Sequence, residues 1–355
     1  MKTYLVTGGA GFIGSNFVLH ILNKYEDIRV VNVDKLTYAG NLENLASVVD
    51  DDRYTFVQAD ICDSEAIASI IAKYEPDYII NFAAESHVDR SIENPTLFAD
   101  TNVLGTITLL NEAKKAWEVG DRDFGDHKYL QVSTDEVYGS LSLDDLDTFF
   151  TEDTPLCPHS PYSASKTSAD MFVMAYADTY GMPINITRCS NNYGPYQFPE
   201  KLIPLMINNA KHHKSLPIYG DGLNVRDWLY VEDHCEAIDL VLRNAELGEV
   251  YNVGGHNERS NNYIVHKIIE VLSEVLNDEE INDSLITFVE DRKGHDRRYG
   301  IAPDKIKADL GWEPKTTFEV GIEKTIKWYL DNAEWMEHVT TGEYQNYINN
   351  MYGNK

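Results

Sequence analysis

The sequence predicts an α/β fold, a doubly wound parallel sheet with a smaller C-terminal α/β domain, and two observations support this prediction. Short apolar segments typical of strands alternate with helical segments through the first half of the 355-residue chain. The second half is less regular, with Gly and Pro turns, short strands and amphipathic helices such as 262–276. Alternation of strands and helices implies right-handed crossovers and a parallel sheet covered by helices on both faces.

The individual elements follow from local composition and periodicity. Strands are predicted at 3–7, 29–33, 54–58, 78–82 and 129–133, and the helices between them include 15–25 and 64–74. We expect residues 1–183 to form the sheet domain, 184–340 to form mainly the second domain, and 341–355 to form a tail. Several segments after residue 183 are expected to return to the sheet, so the boundary is not a single cut.

Composition excludes several classes of function. The formal net charge of −28 opposes general binding to nucleic acid or anionic membranes. No apolar run approaches the roughly 18 residues of a membrane-spanning helix, and the N-terminus shows no signal-peptide pattern. None of the four cysteines, Cys62, Cys157, Cys189 and Cys235, lies in a C-x-x-C pair, so neither a metal site nor a disulfide framework is predicted. We expect a cytoplasmic protein with reduced thiols.

A glycine pattern follows the first predicted strand and precedes a predicted helix. Gly8, Gly11 and Gly14 lie in TGGAGFIG, where missing β-carbons permit a tight turn and close approach of the backbone to a pyrophosphate. The helix N-terminus then offers N–H groups and a positive dipole end to the phosphates. Asp34 ends the next strand 20 residues beyond Gly14, the spacing expected for a carboxylate that binds the adenine ribose. Together these features predict a Rossmann-type dinucleotide site.

Two acidic residues refine the cofactor prediction. Asp34 favours NAD over NADP, because a carboxylate accepts hydrogen bonds from ribose hydroxyls and repels a 2′-phosphate. Asp60 follows the third strand and has two interpretations, a contact to the adenine edge or a cap of the next helix.

Tyr162 and Lys166 form a Y-x-x-x-K pair in PYSASK. Residues four apart on a helix share a face. We expect the Lys166 ammonium to lower the phenol pKa of Tyr162 from its ordinary value of about 10, so that Tyr162 acts as a base near neutrality. Lys166 is also expected to hold the nicotinamide ribose.

The segment STDEVYG ends the fifth predicted strand, where active-site groups of such sheets collect. Thr134 is placed to donate to an oxygen on a reacting carbon. Asp135 and Glu136 are adjacent carboxyl groups, and one is expected to carry a proton if both are enclosed. Acid–base catalysis needs such a split pair, whereas an exposed acidic turn is the alternative interpretation.

These motifs resemble those of the extended short-chain dehydrogenase/reductases and, within them, the dTDP-glucose 4,6-dehydratases. The resemblance extends from TGGAGFIGSNFV to about Trp328 and includes VDKLTYAGN, NFAAESHVDRSI, RCSNNYGPYQFPEKLIP, YGDGLNVRDWLYVEDH and DRKGHDRRYGI. It implies that Tyr162 takes the proton of the sugar 4-hydroxyl while the hydride at carbon 4 passes to NAD. Glu136 then removes the carbon-5 proton, Asp135 protonates the departing 6-hydroxyl, and the hydride returns to carbon 6. The resemblance thus implies conversion of dTDP-glucose to dTDP-4-keto-6-deoxyglucose with internally recycled NAD.

The resemblance also implies which further positions contact the ligands. For the cofactor these are Gly8, Gly11, Phe12, Ile13, Gly14, Asp34, Lys35, Thr37, Asp60, Ile61, Ala83, Tyr162, Lys166 and Asn192. For the substrate they are Ser86, Asn191, Lys201, Leu202, Pro217, Tyr219, Arg226, Asn261, Arg292, His295 and Tyr299. The chain departs from the family pattern at Ser260, Lys293 and Ala302, in the half that binds substrate.

A basic cluster agrees with a diphosphate ligand. The cluster consists of four residues within a stretch of seven, in a chain that is otherwise acidic: Arg292, Lys293, Arg297 and Arg298. One guanidinium group can bind two phosphate oxygens at once. Solubilising surface charge is the alternative interpretation of this cluster.

Other functions compete with this interpretation. A NAD-dependent nucleotide-sugar 4-epimerase would share Tyr162 and Lys166 but would not need Asp135 and Glu136, and the same dehydratase chemistry could act on UDP-glucose. A non-catalytic dinucleotide sensor is disfavoured by the tyrosine–lysine pair. The relatives pair helices of the cofactor domain into a four-helix bundle, which implies a homodimer.

Overall fold

The computed structural model of the chain describes residues 1–341 and 344. The strands, in chain order, are β1 (Lys2–Thr7), β2 (Ile28–Asp34), β3 (Tyr54–Gln58), β4 (Tyr78–Asn81), β5 (Lys128–Thr134), β6 (Ile184–Cys189), β7 (Asn191–Tyr193), β8 (Leu216–Tyr219), β9 (Val225–Tyr230), β10 (Val250–Val253), β11 (Glu258–Ser260) and β12 (Ile286–Val289). The helices are α1 (Phe12–Lys24), α2 (Ser64–Tyr74), α3 (Val88–Glu93), α4 (Pro95–Phe98), α5 (Gly105–Trp117), α6 (Pro161–Tyr180), α7 (Leu202–Lys211), α8 (Val231–Asn244), α9 (Asn261–Leu276), α10 (Asp304–Leu310), α11 (Phe318–Asp331) and α12 (Ala333–Val339). Short 3₁₀ turns cover Leu42–Val48, Asp135–Tyr138 and Asp283–Leu285, and a π-helical segment, Ala99–Leu104, joins α4 to α5.

The central element is a parallel sheet whose strands, across the described chain, follow the order β10-β6-β5-β4-β1-β2-β3. All neighbouring pairs in it run parallel. The predicted α/β fold with a doubly wound sheet is therefore confirmed, and each of the first five strands lies within one residue of its predicted ends. The strand order reverses between β1 and β4, and such a switch point opens a crevice for a ligand at the carboxyl ends of the strands.

The pleat of the sheet divides its apolar residues between two core layers. Tyr4 and Val6 of β1 face a core formed with α1 and α8, whereas Leu5 and Val31 face the core against α2, α5 and α6. All four side chains are fully buried. A sheet buried on both faces explains why the predicted strands are almost continuously apolar.

Strands from beyond residue 183 complete the sheet. β6 pairs with β5, and β10 pairs with β6 at the sheet edge. The intervening and later segments form a second unit with a core of its own, around Tyr193, Trp228, Ile268 and Phe318. It contains the small sheets β11-β9-β7 and β12-β8. The division at residues 183 and 184 remains a prediction.

The ends of the description bear on two further expectations. The predicted tail, 341–355, lies outside the described residues apart from Thr341 and Tyr344, and the Tyr344 hydroxyl donates to the carbonyl of Pro199 at 3.1 Å. Among the described helices, none has both the length and the apolar character needed to cross a membrane.

Candidate active site

Two adjoining cavities lie at the carboxyl ends of the parallel strands. The larger has a volume of about 580 Å³ and the smaller about 170 Å³. They share lining residues, among them Ser86, Glu136, Asn191 and Lys201. The two cavities therefore form one cleft between the parallel sheet and the second unit.

The structure brings the predicted site residues together in this cleft. The larger cavity is lined by Gly8, Gly11, Phe12, Ile13, Gly14, Asp34, Lys35, Thr37, Asp60, Ile61, Ala83, Thr134, Asp135, Glu136, Tyr162, Lys166 and Asn192. The smaller is lined by Ser86, Glu136, Asn191, Lys201, Leu202, Pro217, Tyr219, Arg226, Asn261, Arg292, His295 and Tyr299. Their placement is thus common to one cleft, while their individual roles remain predictions.

The glycine loop between β1 and α1 has the shape that a dinucleotide pyrophosphate needs. Gly8 adopts a φ of +70°, and a β-carbon there would lie 2.6 Å from the backbone nitrogen of Ala83. Gly11 caps α1 without a side chain, so no side chain covers the first amide groups of the helix. Exposed N–H groups at a helix N-terminus attract phosphate oxygens, and the loop therefore fits the pyrophosphate of a dinucleotide.

Asp34 lies at the end of β2 and supports the glycine loop as well as facing the cavity. Its Oδ2 accepts a hydrogen bond from Ala10 N at 3.0 Å, and its Oδ1 accepts one from Leu36 N at 2.8 Å. Each carboxylate oxygen has capacity for a second hydrogen bond. Asp34 therefore remains available to a ribose hydroxyl.

The structure decides between the two interpretations of Asp60. Helix α2 is capped by Asp63, whose side chain accepts from Ala66 N, so the cap interpretation of Asp60 is wrong. Asp60 accepts from Cys62 N at 2.9 Å and forms an ion pair with Lys35 at 2.6 Å. Because Asp60 also lines the larger cavity, a contact to the adenine edge remains the prediction.

Tyr162 and Lys166 are placed by α6. Ser160 and Ser163 form a reciprocal capping box, with both hydrogen bonds at 3.0 Å, and Pro161 occupies the first turn, where its missing N–H has no cost. Both side chains of the pair are buried and face the larger cavity. The Lys166 ammonium donates to the carbonyl of Val132 on β5 at 2.7 Å.

The expected effect of Lys166 on Tyr162 is not what the protein's own groups produce. Burial, followed by the charge of Glu136, raises the pKa of Tyr162 well above its ordinary value. Burial lowers the pKa of Lys166. The expectation of a lowered phenol pKa was wrong for the polypeptide alone, because desolvation of the phenolate outweighs the influence of an amine that is bound to a strand carbonyl.

The two carboxyl groups after β5 are both enclosed, and their surroundings differ. Burial, followed by the charge of Glu136, raises the pKa of Asp135 well above its ordinary value. Burial also raises the pKa of Glu136, but the positive charges of Arg226, Lys201 and Arg292 oppose that rise. Such an arrangement favours a protonated Asp135 beside an ionised Glu136. The exposed acidic turn is excluded, since Asp135 is 1% exposed.

Thr134 links the strand to this pair. Its hydroxyl donates to Asp135 Oδ1 at 3.3 Å and accepts from Glu136 N at 3.3 Å, which caps the 3₁₀ turn. The side chain is buried and lines the cavity. It therefore orients the first carboxyl group, and its contact with a bound sugar remains a prediction.

At the far end of the cleft, cations are held by protein acceptors. Arg292 forms a two-point ion pair with Asp89, at 2.8 and 2.7 Å. The Arg226 guanidinium lies 4.2 Å from the ring centroid of Tyr299. The Lys201 ammonium donates to the carbonyl of Ser86 at 2.8 Å. Fixed cations at this end suit the phosphates of a nucleoside diphosphate.

The basic cluster does not act as a unit. Of its four members, only Arg292 lines the smaller cavity. Arg297 forms an ion pair with Asp221 near the surface. Arg298 is fully buried and binds Glu258 at 2.8 Å. The diphosphate interpretation of the whole cluster is therefore wrong, because neighbours in the chain point to different partners in the fold.

Sequence reasoning missed several polar residues that line the cleft. They are Tyr38, Glu85, Arg90, Thr101, Gln197 and Glu200. Glu200 accepts from the Tyr38 hydroxyl at 2.9 Å and from Arg90 Nε at 3.1 Å, so it connects helix α3 with two separate loops. The sequence feature that could have indicated Glu200 is its position directly before Lys201, a predicted substrate-binding residue. Among the departures from the family pattern, Ser260 caps α9 by accepting from Tyr263 N, as a threonine hydroxyl also can.

Fold and cleft together define a dinucleotide-dependent enzyme of the short-chain dehydrogenase/reductase type, with a tyrosine–lysine pair, two enclosed carboxyl groups and a cationic end for a phosphorylated substrate. A family model described as GDP-mannose 4,6 dehydratase matches residues 5–325. A curated dTDP-glucose 4,6-dehydratase of Shigella flexneri is 53% identical over 355 residues, covering 98% of each protein. The chain belongs to this 4,6-dehydratase family, and its curated relatives at 51–54% identity include several dTDP-glucose 4,6-dehydratases.

Solved structures of similar proteins agree with this assignment. The crystal structure of dTDP-glucose 4,6-dehydratase from Bacillus anthracis in complex with NAD is 50% identical, with a TM-score of 0.85, and the match covers 96% of this chain and 100% of that one. DesIV, a dTDP-glucose 4,6-dehydratase from Streptomyces venezuelae with NAD and TYD bound, is 44% identical, with a TM-score of 0.87 and coverage of 95% and 100%.

Proposed function

We propose that this chain converts dTDP-glucose to dTDP-4-keto-6-deoxyglucose and uses NAD that is regenerated in each cycle. The observation that supports this most directly is the meeting of Tyr162, Lys166, Asp135 and Glu136 in one cleft between a dinucleotide cavity and a cationic cavity. A 4-epimerase would need the tyrosine–lysine pair but has no use for two enclosed carboxyl groups of opposite protonation. The split pair therefore favours the dehydratase.

NAD, when bound, supplies a hydride acceptor for the sugar and, after water has left, the hydride donor for the dehydrated intermediate. The glycine loop would hold its pyrophosphate, and Asp34 would accept from its adenine ribose. Lys166 would hold the nicotinamide ribose at the other end of the larger cavity. Asp34 favours this cofactor over its 2′-phosphorylated form, because two negative charges would meet in a buried place.

The phenol of Tyr162 is assigned the proton of the sugar 4-hydroxyl. Its raised pKa means that the phenolate, once formed, is a strong base toward an alcohol. The positively charged side chain nearest to it on the same helix face is Lys166, which lies one turn away. We infer that Lys166 stabilises the phenolate during oxidation at carbon 4.

The carboxyl pair is assigned the elimination. Glu136, surrounded by cations, accepts the proton from carbon 5, which the neighbouring 4-ketone has acidified. Asp135, which retains its proton, gives it to the departing 6-hydroxyl, so the carbon–oxygen bond breaks and water leaves. This assignment agrees with the surroundings, because burial raises the pKa of Asp135 well above its ordinary value, whereas nearby positive charges oppose the rise at Glu136.

The fixed cations at the far end of the cleft are assigned the diphosphate. Arg292 keeps its orientation through Asp89, and Arg226 keeps its orientation against Tyr299. Held guanidinium groups lose little side-chain freedom when they bind phosphate oxygens. They recognise a nucleoside diphosphate of either base, so the thymine preference rests on the similarity to dTDP-glucose 4,6-dehydratases.

One assay tests the proposal and both of its rivals. Purified protein is incubated separately with dTDP-glucose and UDP-glucose, and the products are separated by chromatography that resolves the 4-epimers and are then identified by mass spectrometry. We expect dTDP-glucose to lose one water and the Tyr162→Phe variant to leave it unchanged. A product that is an isomer of the substrate would show that the protein is an epimerase and not a dehydratase. Faster dehydration of UDP-glucose would show that UDP-glucose is the substrate.

We also propose that the chain forms a homodimer in the cytoplasm. The exposed apolar side chains Leu97, Leu104, Met171 and Phe172 lie on α4, on the π-helical segment and on α6, which contact one another. Such a patch is unusual on a monomer. Size-exclusion chromatography with light scattering tests the homodimer: Phe172→Glu should give monomers, and the equally charged control Val119→Glu, at an exposed site elsewhere, should not.

The cytoplasmic location is supported by the cysteines. The four cysteines of the chain are all free, as is usual for a protein in a reducing compartment.

A further inference from the structure

Helix α6 presents a third ionisable side chain one turn beyond the catalytic pair. Tyr162, Lys166 and Asp170 follow one another at intervals of four residues and therefore share a helix face. Asp170 is completely buried and lines neither cavity of the cleft, so it cannot contact substrate or cofactor. Its carboxylate favours the charged form of Lys166, one helical turn away.

Asp170 is held in place by a buried arginine. Arg188 of β6, which is 3% exposed, donates from Nε to Asp170 Oδ2 at 2.9 Å. Arg188 is fixed in turn from its other end, because NH1 donates to the Tyr138 hydroxyl at 3.0 Å and that hydroxyl donates to Asn252 at 2.8 Å. The orientation of Asp170 is thus determined by β6 and by the turn that follows β5.

This ion pair is incompletely satisfied as a structural element. Within residues 1–341 and 344, the second oxygen of Asp170, Oδ1, makes no hydrogen bond of ordinary geometry, and the Ser133 hydroxyl of β5 is a neighbour that favours the ionised carboxylate. A buried ion pair gains little stability, because loss of solvation offsets the attraction between the charges. A buried carboxylate instead exerts a strong field on the next ionisable group beyond Arg188.

That neighbouring group is Lys166. Its side chain is 4% exposed, and burial lowers its pKa. The charge of Asp170, followed by that of Cys189 on β6, opposes this lowering. Besides these, Tyr162 faces Lys166 from its own helix, and Asp135 faces Cys189 from the end of β5. Because Tyr162 and Cys189 are ordinarily neutral, Asp170 is the carboxylate that compensates for burial of the ammonium.

We propose that Asp170 is a positioning residue, which Arg188 orients so that its carboxylate, one turn along α6, keeps the buried Lys166 ammonium charged. This rests on the proposed function only in that the reaction uses a charged Lys166. The inference adds a member to the catalytic assembly that lies outside the cleft and touches neither ligand.

The ionisation of Lys166 can be measured without the reaction. The wild type and Asp170→Asn are labelled with small amounts of acetic anhydride across a range of pH, and the acetylated fraction of Lys166 is determined by peptide mass spectrometry. Loss of a negative charge about one helical turn away should lower the labelling midpoint of Lys166 by about one to two pH units. The alkaline limb of kcat/KM should move in the same direction, because the charged form is lost as pH rises through the lowered pKa.

Control variants separate this role from a structural one. Asp178→Asn makes the same change at an exposed position of α6 and should leave the midpoint unchanged. Asp170→Glu keeps the charge and should retain a midpoint near that of the wild type. Asp170→Asn combined with Arg188→Gln removes both charges, so neither is left buried alone. The double variant should therefore melt at a higher temperature than Asp170→Asn alone, while its Lys166 labelling midpoint should stay lowered.

Two outcomes would overturn the proposal. One is a wild-type Lys166 midpoint in folded Asp170→Asn. The other, should that variant not fold, is a wild-type midpoint in the double variant. A protein that dehydrates no nucleotide sugar but shows the lowered midpoint would refute the proposed function and leave this inference intact.

Discussion

Replacing Gly14 with alanine tests whether close packing in the glycine loop is what makes it bind a dinucleotide. A β-carbon at Gly14 would lie 2.2 Å from the backbone oxygen of Gly8 and 2.8 Å from the Cα of Gly9, where ordinary contacts begin at 3.4 Å. Both atoms belong to the backbone, and Gly8 N is itself bonded to the carbonyl of Val33 at 2.8 Å. The loop therefore cannot give way without moving away from β2 or from α1.

The size of the effect follows from this overlap. Inserting a methyl group into a tightly packed interior costs about 1–3 kcal/mol, and backbone contacts place Gly14→Ala near 3. An unfolding entropy of about 2.1 cal/mol/K per residue gives about 0.7 kcal/mol/K for this chain, so Tm should fall by about 4 °C. Displaced amide groups should also weaken NAD binding by about tenfold or more, or at least about 1.4 kcal/mol.

Gly11→Ala is the matched control within the same loop. A β-carbon there would meet only the oxygen of Gly8, at 3.3 Å, so Tm should change by less than about 1 °C, while a methyl group beside the pyrophosphate still weakens NAD binding. Differential scanning calorimetry without NAD and calorimetric titration with NAD measure the two effects. Gly14→Ala with wild-type Tm and wild-type NAD affinity would refute the reasoning.

Three further substitutions test the other assignments. Tyr162→Phe should reduce dehydration of dTDP-glucose by about 100- to 10,000-fold, and product of wild-type yield in the mass assay would remove its role as base. Glu136→Gln should reduce turnover by a similar factor while sparing oxidation at carbon 4, so stopped-flow absorbance should show reduced cofactor accumulating. The control is Asp135→Asn, which should still exchange the carbon-5 proton with solvent because Glu136 is intact. Normal elimination by Glu136→Gln would contradict the assignment. Arg298→Met removes a fully buried guanidinium from its ion pair with the partly exposed Glu258 and should lower the free energy of unfolding by about 3 kcal/mol, as followed by urea denaturation. A loss below about 1 kcal/mol would show that the pair is dispensable.

Much of the sheet could be predicted because its information is local. Strands β1 to β5 each contain a short run of apolar residues, and helical segments alternate with most of them. The start of α1 was predicted three residues late, since Phe12 follows the glycine loop with no polar cap to mark the boundary. The pairing of β10 with β6 joins segments more than 60 residues apart, and no local pattern specifies such a partner.

The candidate site divides in the same way. Fixed spacings placed Tyr162 and Lys166 on one helix face and Asp34 at the end of β2. The direction of the Tyr162 pKa could not be predicted, because it depends on how much water the fold excludes. Arg298 could not be separated from Arg292 either, since their partners, Glu258 and Asp89, come from distant parts of the chain.

By itself, the sequence determined the order of strands and helices, the glycine loop, and which ionisable side chains are candidates for proton transfer. Those properties depend on periodicity and spacing over a few residues, which the chain expresses wherever it folds. Tertiary structure alone decided which groups are dry, which cations face Glu136, and that Arg188 pairs with Asp170. Ionisation is governed by desolvation and by charges from remote segments, and both exist only after those segments have packed together.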